Sequence, residues 1–214
     1  MSVFEFSFRD QTLLLDPFQV IYWKEEDTLL LSDVHLGKTH HFRKHGFGIP
    51  PEKADENYWV LDGMLSKYNP RQVIFLGDLF HSEINPDWDR FTDFIRTHPE
   101  HRWVLVKGNH DIFSDEYYMK AGLELYQETL EMGPFLLAHK PMISDRLYTI
   151  CGHLHPAVSI QGRGRQRLRL RCFYFSRKFG VLPAFGAFTG TNAVRPKSGD
   201  QVFGIASGKV IELA

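Results

Sequence analysis

The chain has 214 residues, 43% of them apolar, with 25 basic and 26 acidic residues and a net charge of −1. Length and apolar content suffice for one large domain with a sizeable core and exclude a disordered or fibrous chain. No apolar run approaches the ~20 residues that span a bilayer, and two cysteines are too few for a disulfide scaffold.

No stretch has linker composition, so a single domain over 1–214 is expected. Val3–Phe8, Leu13–Leu15 and Phe18–Trp23 read as strands of an N-terminal meander, with a turn at Asp16-Pro17. Thr28–Leu31 is a short apolar strand. Pro51–Lys67 has apolar residues at helical spacing (Ala54, Tyr58, Leu61, Met64, Leu65), with prolines bounding both ends. Val73–Leu76 is a strand, Trp88–Ile95 a helix, and Trp103–Val106, Phe135–Ala138 and Tyr148–Cys151 are strands. Arg165–Phe175 reads as a longer strand. Gln201–Ile205 and Lys209–Leu213 read as a hairpin around Ser207-Gly208. The order is strands, then β-α-β-α-β, then strands.

The first ten residues alternate apolar and polar and carry Glu5, Arg9 and Asp10, unlike a signal peptide. Cys151 and Cys172 lie in apolar runs and read as buried free thiols. These features give a cytoplasmic protein with no membrane partner as the expectation. The net charge hides a split: ten Lys or Arg and no acid from Arg146 to Lys197, against 14 basic and 24 acidic residues up to Asp145. Either an anionic partner meets the basic half or the two halves neutralise each other.

Short polar motifs sit at the ends of the apolar strands: Asp33-Val34-His35, Gly77-Asp78, Gly108-Asn109-His110-Asp111, His139 and Gly152-His153-Leu154-His155. They supply carboxylate, amide and imidazole groups and no thiolate. That donor set suits divalent first-row metals with open positions for substrate. A lone Asp after a strand is usually a turn former; five such pieces in order require a joint explanation. In that order and spacing they resemble the calcineurin-like metallophosphoesterase superfamily. The resemblance implies two mixed β-sheets packed as a sandwich flanked by helices, an α/β fold with a dinuclear metal site. By motif, it implies that Asp33, His35, Asp78 and His155 hold one metal. Asp78, Asn109, His139 and His153 would hold the other, with His110 on the substrate phosphate and Asp111 orienting it. The superfamily often has an acid where this chain has His81, which reads as a group supporting the ligands, a substrate contact or a surface histidine.

A narrower set resembles the bacterial ligase-associated DNA-damage-response phosphoesterases. It comprises Ser32 to Lys38, Phe42-Arg43, Gly46, Pro50-Pro51, Gly77 to Ser82, Gly162 to Leu170 and Leu182 to Gly190. That likeness implies action beside an ATP-dependent DNA ligase, a helicase and a nuclease of another fold.

Two further features bear on the substrate. Lys38, His40, His41, Arg43, Lys44 and His45 crowd the Gly37–His45 loop, which follows two of the ligands. Lys38 and Arg43 there could hold flanking phosphates; the alternative is a solvated basic loop. Arg163, Arg165, Arg167, Arg169 and Arg171 alternate, so a strand places them on one face and Leu168, Leu170 and Cys172 on the other. Five like charges on a face need an anion or acidic neighbours. A nucleic-acid backbone meets the need, with Arg165, Arg167 and Arg169 as contacts. Phe173 to Phe188 offers aromatic stacking, core packing or a seat for a second subunit.

The expectation is a metal-dependent phosphodiesterase, of nuclease or endonuclease type, linked to DNA repair. Its cofactors would be two divalent ions, Mn²⁺ foremost, then Fe or Zn. The alternatives are a phosphatase or phosphodiesterase of small nucleotides, and a non-catalytic protein-binding scaffold of the same fold.

Overall fold

The computed structural model describes residues 2–44, 46, 48, 55–81, 86–161 and 167–214. The first sheet opens as an antiparallel meander of β1 (Phe4–Phe8), β2 (Gln11–Asp16), β3 (Val20–Trp23) and β4 (Thr28–Leu31). It continues in parallel through β5 (Gln72–Leu76), β6 (Arg102–Val106) and β7 (Leu123–Tyr126). Parallel neighbours need crossovers. These carry α1 (Lys38–Lys44) and α2 (Glu56–Tyr68), then α3 (Pro86–Thr97), then α4 (Asp115–Lys120).

The second sheet holds β8 (Thr129–Met132), β9 (Phe135–Ala138), β10 (Tyr148–Cys151), β11 (Pro156–Gln161), β12 (Arg167–Phe175), β13 (Phe179–Val181) and β14 (Asn192–Ala193). Their order across the sheet is β14-β11-β12-β13-β10-β9-β8. The hairpin β15 (Gln201–Ala206) and β16 (Lys209–Glu212) continues from β12. β10 is parallel to both β9 and β13, so this sheet too is mixed.

The central strands of the first sheet are continuously apolar because both faces are covered. The period of two then sorts their side chains. Leu29, Leu31, Val73, Phe75, Trp103 and Leu105 face a core closed by Tyr58, Leu61, Met64 and Leu65 of α2, Trp88, Phe91 and Ile95 of α3, and Tyr118 of α4. Leu30, Ile74, Leu76, Val104 and Val106 face the other way, onto Phe135, Leu137, Tyr148, Ile150, Phe173, Phe175 and Phe203 of the second sheet. The expected sandwich is present, with one refinement. Among the described residues all four helices precede Ala121, and none covers the outer face of the second sheet. Phe173, Phe175 and Phe185 are core residues, which removes the stacking option for them.

Several short elements escape the hydrophobic pattern: α1, α4, β7, β8, β11, β13 and β14. The Gly37–His45 segment, expected as a loop, is largely helix α1, ended by Gly46 at φ 85°. The start of the expected 51–67 helix lies partly outside the described residues.

Asp16 is fully buried and ties the meander to the end of α2. Its carboxylate accepts from the Phe18 amide (2.9 Å), the Tyr68 hydroxyl (2.7 Å) and Lys67 Nζ (2.6 Å). Asp16→Ala strands the Phe18 N–H and the Tyr68 O–H while Lys67 can turn to solvent. The expected loss is about 2 kcal/mol, read as a lower urea midpoint at unchanged slope.

Candidate metal centre

Every predicted ligand follows the carboxyl end of a parallel strand. Asp33 and His35 follow β4, Asp78 follows β5, Asn109 follows β6, His139 follows β9, and His153 and His155 follow β10. The loops are laced by backbone bonds: Asp33 N–H to Gly77 O (3.1 Å), His35 N–H to Asp78 O (3.0 Å) and Gly152 N–H to His139 O (3.0 Å). Among the described residues, eleven non-glycine residues have positive φ, and five of them are Asp33, His35, Asp78, His153 and His155. Left-handed backbone costs energy at such residues and is kept where the surroundings enforce it. Strain is therefore concentrated on the candidate ligands.

The motif glycines make room for them. Gly77 has φ 77°, and a Cβ there would lie 2.3 Å from His139 Nδ1. A Cβ on Gly152 would lie 1.6 Å from Ser32 Oγ and 2.5 Å from Asp33 Oδ2.

Two groups of ligand atoms result, Asp33 with His35 and His155, and Asp78 with His139 and His153. His155 Nε2 lies 3.1 Å from Asp33 Oδ1. His139 Nε2 lies 3.4 Å from Asp78 Oδ2, 3.2 Å from Asn109 Oδ1 and 3.0 Å from His153 Nδ1. Two donors bound at about 2.1 Å to one ion, at right angles, are about 3 Å apart, so these spacings fit shared ions. Asp78 Oδ2 is also 4.0 Å from His35 Nε2, which places it between the groups.

In Asp33, Asp78 and His139 the atom turned away from the shared space is already occupied. Asp33 Oδ2 accepts from Ser32 Oγ–H and from the His153 amide (3.0 Å), whereas Oδ1 is buried without a hydrogen-bond partner. Asp78 Oδ1 accepts from the His110 amide at 2.9 Å, leaving Oδ2 for both groups. His139 Nδ1 lies 2.9 Å from Leu76 O, a contact that puts its proton on Nδ1 and the lone pair on Nε2.

Metal binding requires neutral imidazoles and ionised carboxylates. Burial takes His35 down to about 3, against the raising pull of Asp33 and Asp78. Burial, then the charge of His139, lowers His153. Burial raises Asp78, but the bond and charge of His139, the His110 amide and the charge of His35 bring it down to about 2. His139 moves up: burial lowers it, but its bond to Asp78, the charges of Asp78 and Asp33 and the Leu76 carbonyl together outweigh burial. A buried, unbonded carboxylate oxygen beside the neutral imidazole of His35 is a donor set that fits divalent metal.

Asp111 has a different task from the expected one of orienting the His110 ring. Its oxygens accept from the amides of Asp78 (2.8 Å), Gly108 (2.8 Å), Leu79 (3.0 Å) and Phe80 (3.3 Å). Both are consumed by backbone, so Asp111 staples the β5 and β6 loops and thereby positions Asp78. Ser32 escapes a motif-based reading because it continues an apolar strand. It is buried, donates to Asp33 Oδ2 and lies 3.0 Å from Leu76 O. Ser32→Ala frees Asp33 to rotate. Loss of such an outer partner costs about 10-fold or more in metal affinity, measurable by calorimetric metal titration.

His110 and His81 stand beside the first group. Their ring centroids lie 5.5 Å from that of His35 and 5.3 Å from one another. Lys38 is half-buried within reach of the charges of Asp33 and Asp78, and burial lowers its pKa more than they raise it. Arg43 is exposed on α1 and touches neither group among the described residues.

The arginine stripe divides. Arg163 and Arg165 lie outside the described residues. Arg167 and Arg169 are exposed, and their β11 partners Gln161 and Ser159 are uncharged, so the acidic-neighbour option fails there. Arg169 donates to Thr191 O. Arg171 turns inward and donates to Ala184 O (2.8 Å), Gly186 O (3.3 Å) and Thr189 O (2.9 Å). The loop it clamps donates in turn from Phe185 N–H to Ser32 O (2.8 Å) and from Gly186 N–H to Asp33 O (3.1 Å). Leu168, expected to face the core, is exposed, because this end of β12 runs beyond the sandwich core.

The sequence profile of the calcineurin-like phosphoesterase family matches residues 27–174, the span that carries both groups. The chain belongs to the calcineurin-like phosphoesterase family. It is therefore a metal-dependent phosphoesterase. Among solved structures, this family member is similar to Pseudomonas putida nuclease MPE, at 26% identity and a TM-score of 0.83, over 99% of this chain and 100% of that one. Its likeness to Yfce, a phosphoesterase from E. coli, is looser: 14% identity and a TM-score of 0.39, over 84% and 88%. No curated protein matches it. No helix among the described residues is long and apolar enough to cross a membrane.

Proposed function

We propose that the chain is a dinuclear-metal phosphodiesterase that cuts DNA. The observation that carries the metal part is Asp78 Oδ2, which lies between the two groups of donors while Oδ1 is held by the His110 amide. Support for DNA comes from the full-length likeness to a nuclease. The exposed Arg167 and Arg169, with no acid opposite them on β11, point the same way.

Asp33, His35, Asp78 and His155 would hold one ion, and Asp78, Asn109, His139 and His153 the other, with Mn²⁺ the favoured metal. When bound, such ions supply the charge that neutralises phosphoryl oxygens and activates water. His110, partly exposed beside His35, donates a proton to the leaving oxygen or stabilises its charge. Lys38, His81 and Arg43 contact the phosphate and its neighbours.

If the exposed arginines track a phosphodiester backbone, Arg167→Gln with Arg169→Gln weakens DNA binding. It also flattens the log–log salt dependence by about 1.4 on single strands. Arg171→Gln instead lowers the melting temperature, because its bonds are internal. Unchanged DNA binding and salt slope in the double variant overturns the DNA-face assignment and leaves a phosphodiesterase of small nucleotides.

A further inference from the structure

A cleft of about 470 Å³ opens from the second donor group, with Asn109 and His139 on its inner wall. A diester phosphate at that group would adjoin this cleft along Asn109 and His139. Its volume lies within the range of small-molecule sites. The outer wall joins an apolar surface, Pro141 with the exposed Met142, to the polar side chains of Gln127, Glu128 and Lys140.

The polar groups are not equivalent. Asp115 accepts from Lys107 Nζ at 2.8 Å and from Gln127 Nε2 at 2.7 Å, which fixes those two side chains as a wall. Lys140 makes no ion pair among the described residues and is exposed. The Glu128 carboxylate faces the same space, so the cleft does not suit a run of phosphates; it suits hydroxyl or amino donors. A methionine thioether makes favourable contact with an aromatic ring. A flat ring, hydroxyl or amino donors and one adjoining phosphate together make a nucleotide.

We propose that this cleft is a nucleoside subsite, which takes the base and sugar on one side of the scissile phosphate. The inference rests on the phosphodiesterase reading above and names what that site binds.

The test is calorimetric binding to the Mn²⁺-loaded protein of three probes: inorganic phosphate, thymidine 3′-monophosphate and thymidine 5′-monophosphate. The wild type is expected to bind one of the nucleotides about tenfold tighter than phosphate. Met142→Ser is expected to erase that advantage, with phosphate affinity and melting temperature unchanged. Met142 is exposed, so folding is not at stake. Nucleotides that bind no tighter than phosphate overturn the subsite, as does a variant that weakens all three probes equally. Failure of the phosphodiesterase reading is seen separately, as wild-type protein that binds these probes but hydrolyses no diester.

Discussion

Asp78→Ala is expected to remove metal from both donor groups and to cut phosphoesterase activity by more than about 100-fold, the upper range for losing only an outer partner of a ligand. The reason lies in how its two oxygens are divided. Oδ2 stands 3.4 Å from His139 Nε2 and 4.0 Å from His35 Nε2, so this one atom reaches both groups. Oδ1 holds the His110 amide, so the same substitution also loosens the turn that presents His110. Asp78→Asn keeps the shape and that amide bond but loses the charge, and its defect should be smaller. Elemental analysis of the purified variants reads the first claim directly. Two ions still bound to Asp78→Ala would remove the bridging assignment.

His110→Ala is expected to lower kcat by roughly 10²–10⁴-fold, the usual contribution of a general acid, with metal content unchanged. His110 touches Asp78 through its backbone amide, which alanine retains, so the donor groups stay intact. An acid matters most where the leaving oxygen is basic. The defect should shrink for nitrophenyl esters and be full for alkyl or nucleoside esters. A uniform defect across leaving groups would restrict His110 to charge stabilisation. Loss of metal would move it into the ligand set.

Much of the fold and of the donor set is legible in the amino-acid sequence. The apolar runs 28–31, 135–138 and 148–151 coincide with β4, β9 and β10, because strands buried on both faces are compact and strongly apolar. The polar residues just beyond them can therefore be assigned to strand ends, where sites of α/β folds gather. What the sequence hides depends on long-range partners. The alternation of Arg167, Arg169 and Arg171 is visible, but the carbonyls that draw Arg171 inward come from residues 184–189. Asp111 adjoins His110 in sequence, yet three of its four amide partners come from another strand end. Ser32 looks like the polar end of an apolar run, and only the fold shows it fixing Asp33 Oδ2. Helix α1 is hidden because its seven residues, Lys-Thr-His-His-Phe-Arg-Lys, carry a single apolar side chain and no helical period.

The most direct measurement is anomalous diffraction at the manganese edge from crystals of the Mn²⁺-loaded protein. The account predicts two peaks per chain, one beside Asp33, His35 and His155, the other beside His139, His153 and Asn109, with Asp78 Oδ2 shared between them. A single peak, or peaks away from these side chains, would contradict it.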